Sequence, residues 1–120
     1  MSELSLGAVE RRFAEIIWNN EPLSSGELVK LAQNELSWKK STTYTVLKKL
    51  TDRGIFKNEN GTVTSVLSRA DFDSRRSESV VESEFGGSLP DFVAAFTSHR
   101  KLTPEEADRI RRMIDAEAKK

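Results

Sequence analysis

The dipeptide Asn60-Gly61, set between two short β-prone runs, Ile55 to Glu59 and Thr62 to Leu67, constrains this chain more than any other feature. Both residues tolerate positive φ, and an Asn-Gly pair flanked in this way is the strongest short-range signal for a β-hairpin. Three helical patterns precede it. Gly7 with Glu10 opens a first helix that runs to about Asn20, with Val9, Phe13, Ile16 and Ile17 at helical spacing and Trp18 closing the last turn. Ser24 with Glu27 opens a second, the hydroxyl accepting from a free backbone N–H while the acid three residues on reaches back. Leu23 and Leu28 flank that cap as a hydrophobic staple, and the helix ends near Asn34. A third helix runs from about Lys40 to Arg53, with Thr43, Val46, Leu47 and Leu50 to one side, and Gly54 stops it. Three helices followed by a hairpin make the winged variant of the helix-turn-helix.

A second group of helices follows. Ser68 with Asp71, stapled by Leu67 and Phe72, starts a helix that Phe85-Gly86-Gly87 breaks after about Glu84. Ser88 with Asp91 starts another, ending near His99, in which Leu89, Phe92, Val93 and Phe96 keep an i, i+3, i+4, i+7 stripe. Thr103, Pro104 and Glu106 then give the clearest start signal in the chain, for a helix through about Ala118 with Ala107, Ile110, Met113 and Ile114 on one face. About fifty residues would struggle to cover these apolar stripes alone, and a second copy of the chain is the natural cover. The expected architecture is therefore mainly α. A winged helix-turn-helix of three helices and a hairpin fills residues 1–68, and a three-helix dimerisation region fills residues 69–120. The dimer contacts are expected at Leu89, Phe92, Val93, Phe96, Ile110, Met113 and Ile114.

Charge decides which partner the winged unit suits. The 120 residues hold 19 basic and 19 acidic side chains, a net charge of zero, which at first argues against nucleic acid. The balance is uneven along the chain. From Ser37 to Lys57 stand Lys39, Lys40, Lys48, Lys49, Arg53 and Lys57 against Asp52 alone, a local net charge of +5. With Thr43, Val46, Leu47 and Leu50 inward, a step of about 100° per residue puts Ser41, Thr45, Lys48 and Asp52 on the opposite face, flanked by Thr42, Tyr44 and Lys49. Ser41, Thr42, Tyr44, Thr45 and Lys48 are candidates to read base edges in duplex DNA, and Lys39, Lys40 and Lys49 to hold phosphates. The hairpin tip, Asn58 to Thr62, adds Lys57 as a phosphate contact, although Asn-Gly is needed for the turn in any case.

Other chemistry finds little support. The chain has no cysteine and a single histidine, His99, so no metal site and no cofactor are expected. Glu105, Glu106 and Asp108 fall in the first turn of a helix, where acids complement the dipole and cap free N–H groups. Gly86-Gly87 lacks the lysine and spacing of a phosphate loop. No enzymatic activity is expected. No apolar run approaches the roughly 18 residues that span a bilayer, and Met1-Ser2-Glu3-Leu4 carries no basic flank and apolar core of a leader. A cytoplasmic location, without membrane association, is the expectation.

Leu6-Gly7 with Glu10, Ile16-Ile17-Trp18, the spacing of Thr42, Thr45, Leu47, Lys49 and Leu50, and Gly54 resemble the penicillinase and methicillin-resistance repressors and their copper-responsive relatives. Phe85-Gly86-Gly87-Ser88-Leu89, then Phe92-Val93 and Phe96, then Leu102-Thr103-Pro104-Glu105-Glu106, are similar to that family's dimerisation region. The resemblance covers nearly the whole chain. It implies a homodimer, joined through its C-terminal helices, that sits on a dyad-symmetric double-stranded DNA operator and represses transcription. It also implies release by a regulatory protease cutting at Ala95-Phe96. The absence of cysteine departs from the copper-responsive members, Lys49 stands where arginine is usual, and the wing run Thr62-Val63-Thr64-Ser65 lacks the arginine and aromatic residues common there. A protein-interaction module that keeps a winged-helix shape and uses Trp38 and Tyr44 against another protein is the alternative.

Overall fold

The computed structural model describes residues 5–119; Met1 to Leu4, where a leader was sought, lie outside the described residues. Elements follow in the order α1 (Ala8–Asn20), β1 (Leu23–Ser24), α2 (Ser25–Leu36), α3 (Lys40–Asp52), β2 (Phe56–Glu59), β3 (Thr62–Ser65), α4 (Arg69–Glu84), α5 (Leu89–Thr97) and α6 (Pro104–Ala118). The fold is mainly helical with a small antiparallel sheet, as expected of a winged helix followed by a helical region. Two compact units result, one reaching Ser79 and one from Val80 onward, so the division falls inside α4.

In the first unit, local caps start α1 and α2. Ser24 Oγ accepts from Glu27 N at 3.0 Å, while the Glu27 carboxylate accepts from Ser24 N, giving α2 a reciprocal capping box. At α1 glycine has no side chain to offer, and Glu10 supplies the returning half alone by accepting from Gly7 N at 3.1 Å. The α1 face buries Phe13, Ile16, Ile17 and Trp18, but Val9 is half exposed. It lies one turn before Phe13, in the first turn of the helix. The α2 helix extends two residues past its expected end and closes at Ser37, which takes a left-handed conformation, φ +57°.

The hairpin is a two-residue type I′ turn: Asn60 and Gly61 have φ of +53° and +86°, and Asn58 Oδ1 accepts from Gly61 N at 3.0 Å. Pairing runs Phe56↔Ser65, Lys57↔Thr64, Asn58↔Val63 and Glu59↔Thr62. A third strand was not expected. Leu23 and Ser24 pair with Val63 and Thr62, so that β3 is central and the order is β1-β3-β2. Leu23, read as a staple, is buried as part of this sheet. Phe13, Ile17, Leu28, Leu50, Ile55, Phe56, Val63 and Phe72 form the fully enclosed core. Burying each such side chain stabilises by about 1.5–3 kcal/mol, so three helices and the sheet hold one another.

The start of α4 belongs to this unit for identifiable reasons. Phe72 is fully buried against Trp18, at 5.5 Å between ring centroids, and Trp18 Nε1 donates to Leu67 O at 3.0 Å. Arg11 lies over both rings and pairs with Asp73 at 2.6 Å, while Arg69 pairs with Glu15 at 2.7 Å. These contacts bind the first turn of α4 to α1 and account for a compact unit that continues beyond the hairpin.

In the second unit, α4 ends through Gly86 and Gly87, with φ of +58° and +81°, and Gly87 N donates back to Val81 O. Phe85 meets Phe92 edge-on at 5.3 Å. Ser88 Oγ caps α5 by accepting from Asp91 N. Thr103 and Glu106 form a full capping box on α6 with Pro104 in the first turn. Neither α5 nor α6 has a buried residue: Leu89, Val93, Phe96, Ile110, Met113 and Ile114 are 41–59 % exposed, whereas Phe92 is half covered by its aromatic neighbours.

Candidate nucleic-acid interface

Thr43, Leu47 and Leu50 anchor α3 in the core with Val46 partly buried beside them, which turns Ser41, Thr42, Tyr44, Thr45 and Lys48 outward. All five are exposed and share one side of one helix. The N-terminal end of α3 differs from the starts of α1, α2 and α6, because Lys39 at the cap position makes no side-chain cap and the first turn holds no acid. Backbone N–H groups that lack a partner and the positive end of the helix dipole coincide there with Lys39 and Lys40. Neither lysine has an ion pair among the described residues.

The other lysines of the basic stretch are engaged. Lys48 Nζ lies 3.1 Å from Asp52, one turn along the same face. Lys57 Nζ lies 3.2 Å from Glu59 on β2. Lys49 reaches the Glu10 carboxylate on α1 at 2.8 Å, and that contact, with the Gly7 N–H, holds the Glu10 carboxyl below its ordinary value of 4.5. Arg53 donates to Ser5 O at 3.1 Å. Glu10 and Glu59 thus answer part of the +5 read along the chain, and of the charge that remains Lys39 and Lys40 sit together at the start of α3.

One residue that the sequence reading passed over ties the parts together. Ser25 Oγ accepts from the Tyr44 hydroxyl at 3.2 Å, and Ser25 N donates to Gly61 O at 2.8 Å, so the start of α2, the exposed face of α3 and the hairpin turn meet at one residue. Its partners lie 19 and 36 positions away, and no local pattern announces them. A shallow cleft of about 320 Å³ between α3 and β2 is lined by Tyr44, Leu47, Lys48, Thr51 and Asn58.

Trp38, which the alternative reading sets against another protein, packs on Phe13 at 5.1 Å and is partly buried, because the three-residue turn between α2 and α3 directs it inward. The acids at the start of α6 act structurally: Glu106 accepts from Thr103 N at 3.0 Å, and Asp108 pairs with Arg112 at 3.1 Å. Among the described residues no group of His, Asp and Glu is placed to hold a metal ion, and no helix is long and apolar enough to cross a membrane.

No individual curated protein matches the sequence. The family model described as penicillinase repressor does match, over residues 6–116, which takes in both compact units. Together with the winged-helix topology, this match shows that the chain belongs to the penicillinase repressor family, a family of transcriptional repressors and not of enzymes.

Proposed function

We propose that the chain is a homodimeric repressor that reads a dyad-symmetric operator in duplex DNA with the outward face of α3. The observation that carries this reading is the start of that helix: free N–H groups, unpaired Lys39 and Lys40, and no acid in the first turn, followed directly by a face of exposed hydroxyl and ammonium groups. Recognition helices meet the major groove with their N-terminal residues, so Ser41, Thr42, Tyr44, Thr45 and Lys48 contact base edges while Lys39 and Lys40 grip the flanking phosphates. Lys49 and Lys57 reach phosphate by exchanging their carboxylate partners.

The exposed apolar side chains of α5 and α6 support dimerisation. Leu89, Val93, Phe96, Ile110, Met113 and Ile114 are exposed and Phe92 only half covered, and an isologous contact through these seven would give the two-fold symmetry that a palindromic operator matches. Inactivation proceeds by proteolysis between Ala95 and Phe96. Both are exposed in a nine-residue helix with no buried side chain, which a protease can open at little cost. The site of action is the cytoplasm.

Selection of the purified chain on random duplexes at two salt concentrations tests the reading. Enrichment of a dyad-symmetric sequence, with affinity falling steeply as salt rises, is the expected result. Retention of DNA without sequence enrichment at either salt would rule out a sequence-specific repressor.

A further inference from the structure

Three lysines of the DNA-facing unit are occupied by carboxylates of the same chain: Lys48 by Asp52, Lys57 by Glu59 and Lys49 by Glu10. The placement of the acids bears on what they do. Asp52 stands one turn beyond Lys48 on the face that meets DNA, and Glu59 adjoins the hairpin turn. We infer that Asp52, Glu59 and Glu10 are specificity-determining residues that compete with DNA phosphate for these lysines and so hold down affinity for arbitrary duplex more than affinity for the operator. The inference rests on the DNA-reading role proposed above.

The physical basis is the difference between loose and close binding. Affinity for arbitrary DNA comes almost wholly from phosphates neutralised by cations and the counterions released. A lysine already neutralised by a carboxylate contributes little to it, and the acid repels the approaching backbone. Base contacts in an operator complex draw α3 into the groove, close enough for Lys49 and Lys57 to exchange their carboxylates for phosphate and for Lys48 to exchange Asp52 for a base edge. Exposed pairs of this kind are weak enough to exchange: Lys48 and Asp52 are 77 % and 65 % exposed. The zero net charge of the chain then has a use, because arbitrary DNA is the competitor in far greater supply, and the ratio of the two affinities decides occupancy of the operator.

The test compares the full chain with D52N/E59Q and with E10Q/D52N/E59Q. The double variant leaves every contact of Glu10 in place, and glutamine at position 10 retains an oxygen for the Gly7 N–H. Binding is measured on a duplex of scrambled sequence and on the duplex enriched by selection, from 50 to 200 mM salt, with circular dichroism confirming the fold. On the scrambled duplex the log–log salt slope is expected to steepen by about 0.9 per freed lysine, or about 1.8 for the double variant. On the selected duplex the slope should stay near that of the parent, and the ratio of affinities should fall several-fold. Unchanged slopes on scrambled duplex, with the parent binding selected duplex normally, would overturn this inference alone. Failure of the parent to bind either duplex at 50 mM salt would overturn it together with the DNA-reading role.

Discussion

Ser37 occupies a left-handed conformation at the end of α2, where a side chain is disfavoured by about 1–2 kcal/mol relative to right-handed backbone. Part of that cost is recoverable: Ser37→Gly is expected to raise unfolding stability by about 0.5–1 kcal/mol, after the extra entropy of glycine in the unfolded chain is allowed for. A urea midpoint unchanged or lowered would show that the serine side chain compensates for its backbone. Titration gives a second residue-scale expectation. Arg11 holds the Asp73 carboxyl below its ordinary 3.8, and Lys49 with the Gly7 N–H holds Glu10 below 4.5. A carboxylate whose folded value is depressed stabilises fully above its unfolded value, and that contribution is lost as pH falls through the lower, folded value. Asp73→Asn should therefore cost little at pH 7, well under about 1 kcal/mol for so exposed a pair. Its stability should also fall less steeply than the parent's between pH 4.5 and 2.5. Parallel curves in that range, from urea midpoints at successive pH values, would remove the Arg11–Asp73 pair from the account.

At the scale of elements, the start of α3 carries the clearest expectation. Lys39→Ala/Lys40→Ala should leave the fold intact, since both side chains are exposed, and should make the salt slope on any duplex shallower by about 1.8. Lys48→Ala should instead relax base preference in repeated selection. Equal effects of both changes on selected and scrambled duplexes would remove the distinction between phosphate and base contacts. Such elements were legible from sequence where their determinants are local. The Ser24–Glu27 and Thr103–Glu106 boxes and the Asn60-Gly61 turn each place cause and effect within a few residues, and all form as read. What escaped depends on pairs distant in the chain. Strand β1 is two residues long and exists only because β3 offers Val63 and Thr62 to it, and Glu10 meets Lys49 only once α1 packs near α3. The partial cover of Trp38 was hidden for the same reason, since Phe13 belongs to another helix. The outward face of α3 could be inferred from its apolar stripe, with Asp52 beside Lys48 upon it, but the neutralisation of Lys49 could not, because Glu10 lies far away in sequence.

At the scale of the whole molecule, the proposed dimer would link the exposed side chains of α5 and α6 to DNA affinity. A dimer on a two-fold operator gains from effective concentration: once one reading unit is bound, the second binds from a local concentration set by the connection rather than by the solution. Cutting between Ala95 and Phe96 severs α6 and the last residue of the α5 stripe from the reading unit, leaving Leu89, Phe92 and Val93 on one side and Phe96, Ile110, Met113 and Ile114 on the other. Val93→Asp imposes the same loss without cleavage, by placing a charge at an exposed position within the stripe where no folded core depends on it. This variant is expected to sediment as a monomer at micromolar concentration and to bind the selected operator 10²–10⁴-fold more weakly, while its affinity for a single half-site stays within about twofold of the parent. The two duplexes separate the effects, because damage to the reading unit weakens both and loss of linkage weakens only the full operator. A Val93→Asp chain that remains dimeric would place the interface elsewhere, and one that is monomeric yet binds the full operator at parental affinity would show that the two reading units act independently.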